Sequence, residues 1–388
     1  MPIKSTLTTL LLTVFAMVCG ACGTDTDSGP VDRPDELGPF GVGHLAFTAE
    51  DASRGDRSLL MDVWYPVDTA DWQDSPRTSY PLMAIIGLES EVAVEELPVS
   101  DRPGQTLLVF SHGYQSINIQ SAALMEQLAS HGFIVVSPEH TGNSQAFPED
   151  DFDTAAANRV PDVSFVIDTM LARSEDPADP FYGRIDPERV GVVGHSFGGM
   201  TALGMAAGWA GAAPDPRVAA IAPISAVIDA DLQSDDRPSE YAGFTEQQLG
   251  SITVPVMLVG GTEDVHVPIE NNDLAFAQLT GAPWVYQVDV IGANHTHFAN
   301  ICAIGNLLLD LNISQDTWAS LGAEDLIEPY NTTCTPEVFP IEEAHRLQNL
   351  YVTAFFRRHL LGETGYEHYL SQSYADTEPA ITLTFKSL

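Results

Sequence analysis

The chain has 388 residues, 44% of them hydrophobic, enough to bury one large core and at most a small satellite. Its 54 acidic against 16 basic residues give a formal net charge of -38, and Lys4 and Lys386 are its only lysines. Such a surface repels nucleic acid and anionic membranes, so neither is expected as a partner, and the charge reads as a solvated coat.

At the N-terminus, Lys4 precedes an apolar stretch from Leu7 to Val18, and the small-residue run Cys19-Gly20-Ala21-Cys22 follows. The stretch is too short to span a membrane, and the layout predicts an export signal over residues 1–22. Two readings stay open. In the lipoprotein reading Cys22 is lipidated and anchors the chain, although Cys19 stands where a leucine is usual; in the other the signal is cleaved and the chain is secreted freely. Residues 23–37, rich in Asp, Gly, Thr and Pro, read as a flexible polar tether.

Residues 38–370 read as one catalytic domain and 371–388 as a C-terminal tail. Leu59 to Tyr65, Thr106 to Phe110 and Phe133 to Ser137 predict strands, with a helix from Ile117 to Ser130 whose Leu124 and Leu128 lie four apart. Further helices are predicted over Asp162 to Leu171, Met200 to Trp209, Asn272 to Leu279 and Glu342 to Leu360. They alternate with strands at Val190 to Val193, Val218 to Ile224, Val254 to Val259 and Trp284 to Val290. Apolar strands alternating with helices predict an α/β fold, a mostly parallel twisted sheet covered on both faces. Residues 229–250 break the alternation where a cap could be inserted, and 302–334 form a second irregular stretch beside the site. Cys302 and Cys334 are the only cysteines beyond the signal. An even pair in an exported chain predicts a disulfide, contributing roughly 3 kcal/mol in the chain-entropy reading. Neither belongs to a C-x-x-C pair, so a metal site is not expected.

The chemistry centres on Gly194-His195-Ser196-Phe197-Gly198, preceded by apolar Val190-Gly191-Val192-Val193 and followed by the small-residue run Gly199-Met200-Thr201-Ala202. A strand, a sharp turn and a helix around a serine form a nucleophile elbow, the mark of the α/β-hydrolase class, in which the flanking glycines allow close packing. A serine hydroxyl needs a base, and the oxyanion it creates needs preorganised donors. One donor is expected from the backbone N–H of Phe197. The other is expected from Tyr114, after the strand and glycine turn Leu107-Leu108-Val109-Phe110-Ser111-His112-Gly113. His112 reads as a structural hydrogen-bonding group.

In this fold the acid and then the histidine follow the serine along the chain. Val256-Met257-Leu258-Val259-Gly260-Gly261-Thr262-Glu263-Asp264 ends a strand in a glycine turn bearing two carboxylates. Asp264 is preferred and Glu263 is the competitor. For the base, His295 and His297 compete after Gly292-Ala293-Asn294; His295 is preferred and geometry must arbitrate. His140 and His266 read as lying outside the catalytic set.

The segments Leu108 to Gly113, Leu128 to Val136, Glu139-His140, Gly194 to Gly199 and His295-Thr296-His297-Phe298 resemble plasma-type platelet-activating-factor acetylhydrolases. They also resemble the bacterial hydrolases described as predicted dienelactone hydrolases, which Gly38 to Gly43 and Asp62 to Pro66 match as well. The resemblance covers most of Gly38 to Leu361. It implies Ser196, Asp264 and His295 as triad and Tyr114 and Phe197 as oxyanion donors; Phe298, three residues on, supports His295. Dienelactone hydrolases proper use cysteine where Ser196 stands, so lactone opening is not implied. Secreted cutinases share the glycine-tyrosine turn but usually carry Met at the place of Phe197. The expected activity is therefore hydrolysis of short or medium acyl esters or acetylated phospholipids, without a cofactor. The alternatives are a secreted polyester hydrolase, a noncatalytic surface-binding protein and a serine peptidase.

Overall fold

The computed structural model describes residues 31–83, 86–232 and 239–388; the export signal and Cys22 lie outside the described residues. Eleven strands form one sheet among them: β1 (Gly41–Asp51), β2 (Arg57–Val67), β3 (Arg77–Met83), β4 (Ile86–Glu95), β5 (Gln105–Ser111), β6 (Ile134–Pro138), β7 (Ile185–His195), β8 (Val218–Ile224), β9 (Val256–Gly261), β10 (Trp284–Val290) and β11 (Ile381–Ser387). Their order across the sheet is β3-β4-β1-β2-β6-β5-β7-β8-β9-β10-β11. β6, β5, β7, β8, β9 and β10 run parallel to one another. β2 and β11 flank this block in antiparallel pairing.

Side chains alternate along each strand, so the apolar run of β5 supplies two cores at once. Leu107 and Val109 join the cluster on one face, with Val190, Val192 and Ile221. It is covered by two helices, α2 (Phe152–Glu175) and α3 (Phe197–Ala207), through residues such as Val163, Ile167 and Leu203. Leu108 and Phe110 join the other, with Val135 and Val193. That face is covered by α1 (Ala122–Ser130) and, further along, α7 (Ile341–Leu360), through Leu124, Leu128, Tyr351 and Phe355. Between α3 and α7 in the chain come α4 (Glu270–Gln278), α5 (Ile301–Asp310) and α6 (Ile327–Thr333). Each fully buried large apolar side chain contributes about 1.5–3 kcal/mol of transfer free energy.

Several expectations need correction. Helix α2 starts ten positions before Asp162, capped by Asp151, whose side chain accepts the N–H of Thr154, and it accommodates Pro161 in its interior. Helix α1 starts only at Ala122; Ile117 to Ser121 form turns. The expected C-terminal tail is part of the domain, because β11 pairs with the whole of β10. Its Ile381 and Leu383 are buried while Thr382 and Thr384 are exposed.

The described part of the expected tether, from residue 31 onward, also packs on the body. Gln127 Nε2 donates to the carbonyl of Pro34 at 2.9 Å, and Arg346 reaches Asp35 at 3.0 Å. No described residue of 229–250 lines the central cavity; its roof comes from the 302–334 stretch. The Cys302 and Cys334 sulfurs are bonded, 2.05 Å apart, closing that stretch at its base.

Candidate active site

All the candidate groups stand at the C-terminal ends of the parallel strands, where open α/β sheets gather their sites. β7 runs directly into Ser196 and α3 begins at the next residue. Ser196 has φ 58° and ψ -119°, a conformation that costs a non-glycine residue about 1–3 kcal/mol and needs support from its surroundings. The support is visible: the Ser196 N–H donates to the carbonyl of Ile224 at 2.8 Å. The turn is also too tight for side chains beside it. A Cβ on Gly198 would lie 1.8 Å from the Ser111 carbonyl oxygen, and one on Gly194 would lie 2.3 Å from that of Gly198.

Asp264 lies in the turn after β9 and is buried. Its Oδ1 accepts the N–H groups of His266 and Val267 at 2.9 and 2.8 Å, and its Oδ2 lies 2.7 Å from His295 Nδ1. Burial alone would raise this carboxyl, but the neighbouring His295 and the Val267 N–H together hold it below the usual carboxylate range. Glu263, by contrast, is exposed.

His297 is turned elsewhere. Its Nδ1 accepts the Asn294 N–H at 2.9 Å and its Nε2 lies 2.8 Å from the Phe339 carbonyl. Both ring nitrogens are therefore used in holding its own loop. His266 is exposed, its ring centre 5.6 Å from that of His295.

The turn after β5 is held from behind by Arg159, a fully buried residue of α2. Its guanidinium donates to Ser111 Oγ, to the carbonyls of His112 and Gly113 and to Asn143 Oδ1. It also lies 4.7 Å from the centre of the Phe197 ring. The Gly113 carbonyl and the Tyr114 N–H belong to one planar trans peptide and point in opposite directions. Anchoring the carbonyl on Arg159 at 2.9 Å thus turns the Tyr114 N–H away from the arginine.

The two histidines here belong to the same frame. His112 Nε2 accepts the His140 N–H, so His112 Nδ1–H donates to the Gly113 carbonyl at 2.8 Å. His140 lies between Ser111 Oγ and Asp162. Burial lowers both rings, His140 to about 3, so both are neutral at physiological pH. The sequence reading missed Arg159 because it began the helix after Pro161.

A cavity of about 590 Å³ opens over Ser196 and His295. One side is aromatic and apolar, with Tyr114, Phe152, Phe197 and Met200; the other is formed by Ile301, Ile304 and Leu308 of α5 and by Leu326 and Pro329. The Tyr114 and Phe152 rings lie 5.4 and 5.1 Å from that of Phe197.

This fold defines the class: the chain has the α/β-hydrolase fold, a mostly parallel sheet with helices on both faces. The family described as Chlorophyllase matches residues 100–266, a span that includes Ser196 and Asp264 and ends before His295. Among individual relatives, chlorophyllase type 0 of Chenopodium album is 28% identical over 162 residues, covering 40% of this chain and 43% of its own. The cutinase est1 of Thermobifida alba is 25% identical over 169 residues, covering 44% and 46%. The chain thus spans less than half the length of these two relatives. A ferulic acid esterase from Streptomyces cinnamoneus shares the fold with a TM-score of 0.59 at 23% identity, over 89% of this chain and 96% of its own.

Proposed function

We propose that the chain hydrolyses carboxylic esters through an acyl intermediate on Ser196. The observation that carries this reading is the 2.7 Å contact of Asp264 with His295 Nδ1, beside a cavity that Ser196 shares with His295. With Nδ1 engaged, the free nitrogen of His295 is Nε2, the one a base must present to the serine. Ser196 Oγ attacks the ester carbon and its proton passes to His295 Nε2. The carbonyl oxygen becomes an oxyanion facing the N–H groups of Tyr114 and Phe197. Collapse of the adduct releases the alcohol, which takes the proton from His295, and water repeats the sequence to free the acid. Asp264 stays ionised, fixing the imidazole and stabilising its cation.

The aromatic and aliphatic side chains that line part of the cavity suit short or medium acyl chains or acetylated phospholipids. A polyester chain is the second reading, favoured by the similarity to a cutinase over part of the chain. The disulfide fits an oxidising compartment, and with the N-terminal layout supports export, either free or anchored at Cys22. No helix among the described residues is long and apolar enough to cross a membrane.

The test is turnover of p-nitrophenyl esters from acetate to palmitate and of a polyester film, with fluorophosphonate labelling. Wild-type protein should be labelled at Ser196 and release p-nitrophenol. Ser196→Ala should lose roughly a million-fold in kcat, leaving only the small residual rate over water that binding and the oxyanion donors supply. A folded wild-type protein that neither labels nor turns over would overturn the enzymatic reading.

A further inference from the structure

A run of hydrogen bonds crosses the site below the nucleophile and joins the oxyanion turn to the base loop. Gln120, in the turns before α1, is 6% exposed. Its Oε1 lies 2.8 Å from the Gly113 N and its Nε2 lies 2.6 Å from His195 Nδ1. His195 Nε2 in turn lies 2.8 Å from the backbone carbonyl of His295. The main chain repeats the link, since the Gln120 carbonyl accepts the Asn300 N–H at 2.7 Å.

Proton positions along this run follow from one fixed donor. The Gly113 N–H can only donate, so the amide oxygen of Gln120 must face it. The amide NH₂ then faces His195 Nδ1, which must accept. The ring proton of His195 therefore sits on Nε2, where it donates to the His295 carbonyl. A different orientation at any one member would set two donors or two acceptors against each other in a buried place, at the cost of an unsatisfied group.

We propose that Gln120 is a positioning residue: through His195 it holds the backbone of His295 at a set distance from the oxyanion turn. The proposal rests on the ester-hydrolase reading above. It gives His195, the residue before the serine, the task of a neutral strut. The groups facing its ring are His295, 4.6 Å away between centres, Phe298, and the charge of Asp264 beyond. Burial and the nearby His295 lower His195 to about 3, so the strut keeps one proton across the working range of the enzyme.

Two variants test this. Gln120→Met keeps the volume and removes both hydrogen bonds. Its kcat on p-nitrophenyl butyrate should drop about 10–100-fold, the scale of a small misplacement of reacting groups, with KM within about threefold and a pH profile of wild-type shape. Gln120→Glu can still accept from Gly113 but, once ionised, cannot donate to His195. It calls for a proton on Nδ1, so the bond to His295 survives only when His195 is doubly protonated. Its kcat profile should gain an ionisation absent from the wild type, with activity kept on the acid side and lost above it. A packing role alone would give the two variants the same profile. Imidazole ¹⁵N shifts supply a readout without turnover: His195 should carry its proton on Nε2 in the wild type and on Nδ1 as well in Gln120→Glu at low pH. Wild-type His195 protonated on Nδ1 alone, or folded Gln120→Met with kcat within twofold of wild type, would overturn the role of Gln120. Failure of the wild type to turn over any ester would instead overturn the hydrolase reading.

Discussion

Arg159 spends its charge on four neutral acceptors, in a place closed to water. Burial lowers it to about 9, against the pull of Asp162, so at neutral pH it is still a guanidinium. Arg54, Arg57 and His140 surround the Asp162 carboxylate at 2.6 to 2.9 Å, so this carboxylate is shared between two guanidinium groups and a neutral imidazole. Replacing Arg159 by Met should cost about 3 kcal/mol, because the acceptors it leaves behind stay buried. Lysine should recover only part of this, since a point charge cannot hold two consecutive carbonyls as a planar fork does. Urea unfolding of the two variants measures the difference, and equal midpoints for Met and wild type would remove the clamp from the account. A reader of the sequence could find Ser196 because its neighbours are diagnostic glycines. Arg159 is legible only once α2 is known to pass through Pro161, since nothing adjacent to it in the chain marks its contacts.

Elements that bury both faces were legible, and those with a wet face less so. β8 and β9 are apolar throughout, and β5 and β7 carry apolar runs at Leu107 to Phe110 and Val190 to Val193. By contrast β4, one strand in from the β3 edge, carries Glu89, Glu91 and Glu95 in ten residues, which interrupts its apolar pattern. β11 did carry a signal, the alternation Ile381-Thr382-Leu383-Thr384, which its position after the last long helix disguised as a tail. The roof was the least legible element, because it has its own small core: Leu308, Trp318 and Ala323 cluster apart from the two faces of the sheet. Tyr330 lies against Gly305, where a Cβ would come within 2.1 Å of its ring. The roof meets the base loop at Thr333, whose hydroxyl contacts those of Thr296 and the Asn294 side chain. Opening the Cys302–Cys334 bond should therefore loosen a cavity wall more than the reacting groups. The double variant Cys302→Ser/Cys334→Ser should lose about 3 kcal/mol of stability and show KM raised several-fold for decanoate but by less than twofold for acetate. A uniform rise for both esters would count against the roof as the wall for longer chains.

For the molecule as a whole, the charge of -38 and the buried histidines make opposite demands on pH. Acidification relieves repulsion among surface carboxylates, chiefly near their ordinary values around pH 4. Burial lowers His131 to about 4 and His140 and His195 to about 3, against about 6.5 in an unfolded chain. Between pH 6.5 and 4 the unfolded chain takes up protons that these folded rings refuse. The stability they confer is therefore full above pH 6.5 and lost as pH falls, at up to about 1.4 kcal/mol per pH unit for each ring. Asp289, raised by burial to about 6, acts the other way: its folded form holds a proton that the unfolded chain has released, an advantage that fades as pH rises through 6. With His112, His297, His345 and His359 also lowered by burial, seven rings stand against two raised carboxyls, Asp289 and Glu126, and decide the sign from pH 6.5 to 5, before most surface carboxylates begin to titrate. The urea midpoint should accordingly be lower at pH 5 than at pH 7.5. Added salt at pH 7.5 should raise it by screening the acidic coat. A midpoint that instead climbed toward pH 5 would mean that surface repulsion outweighs the buried rings.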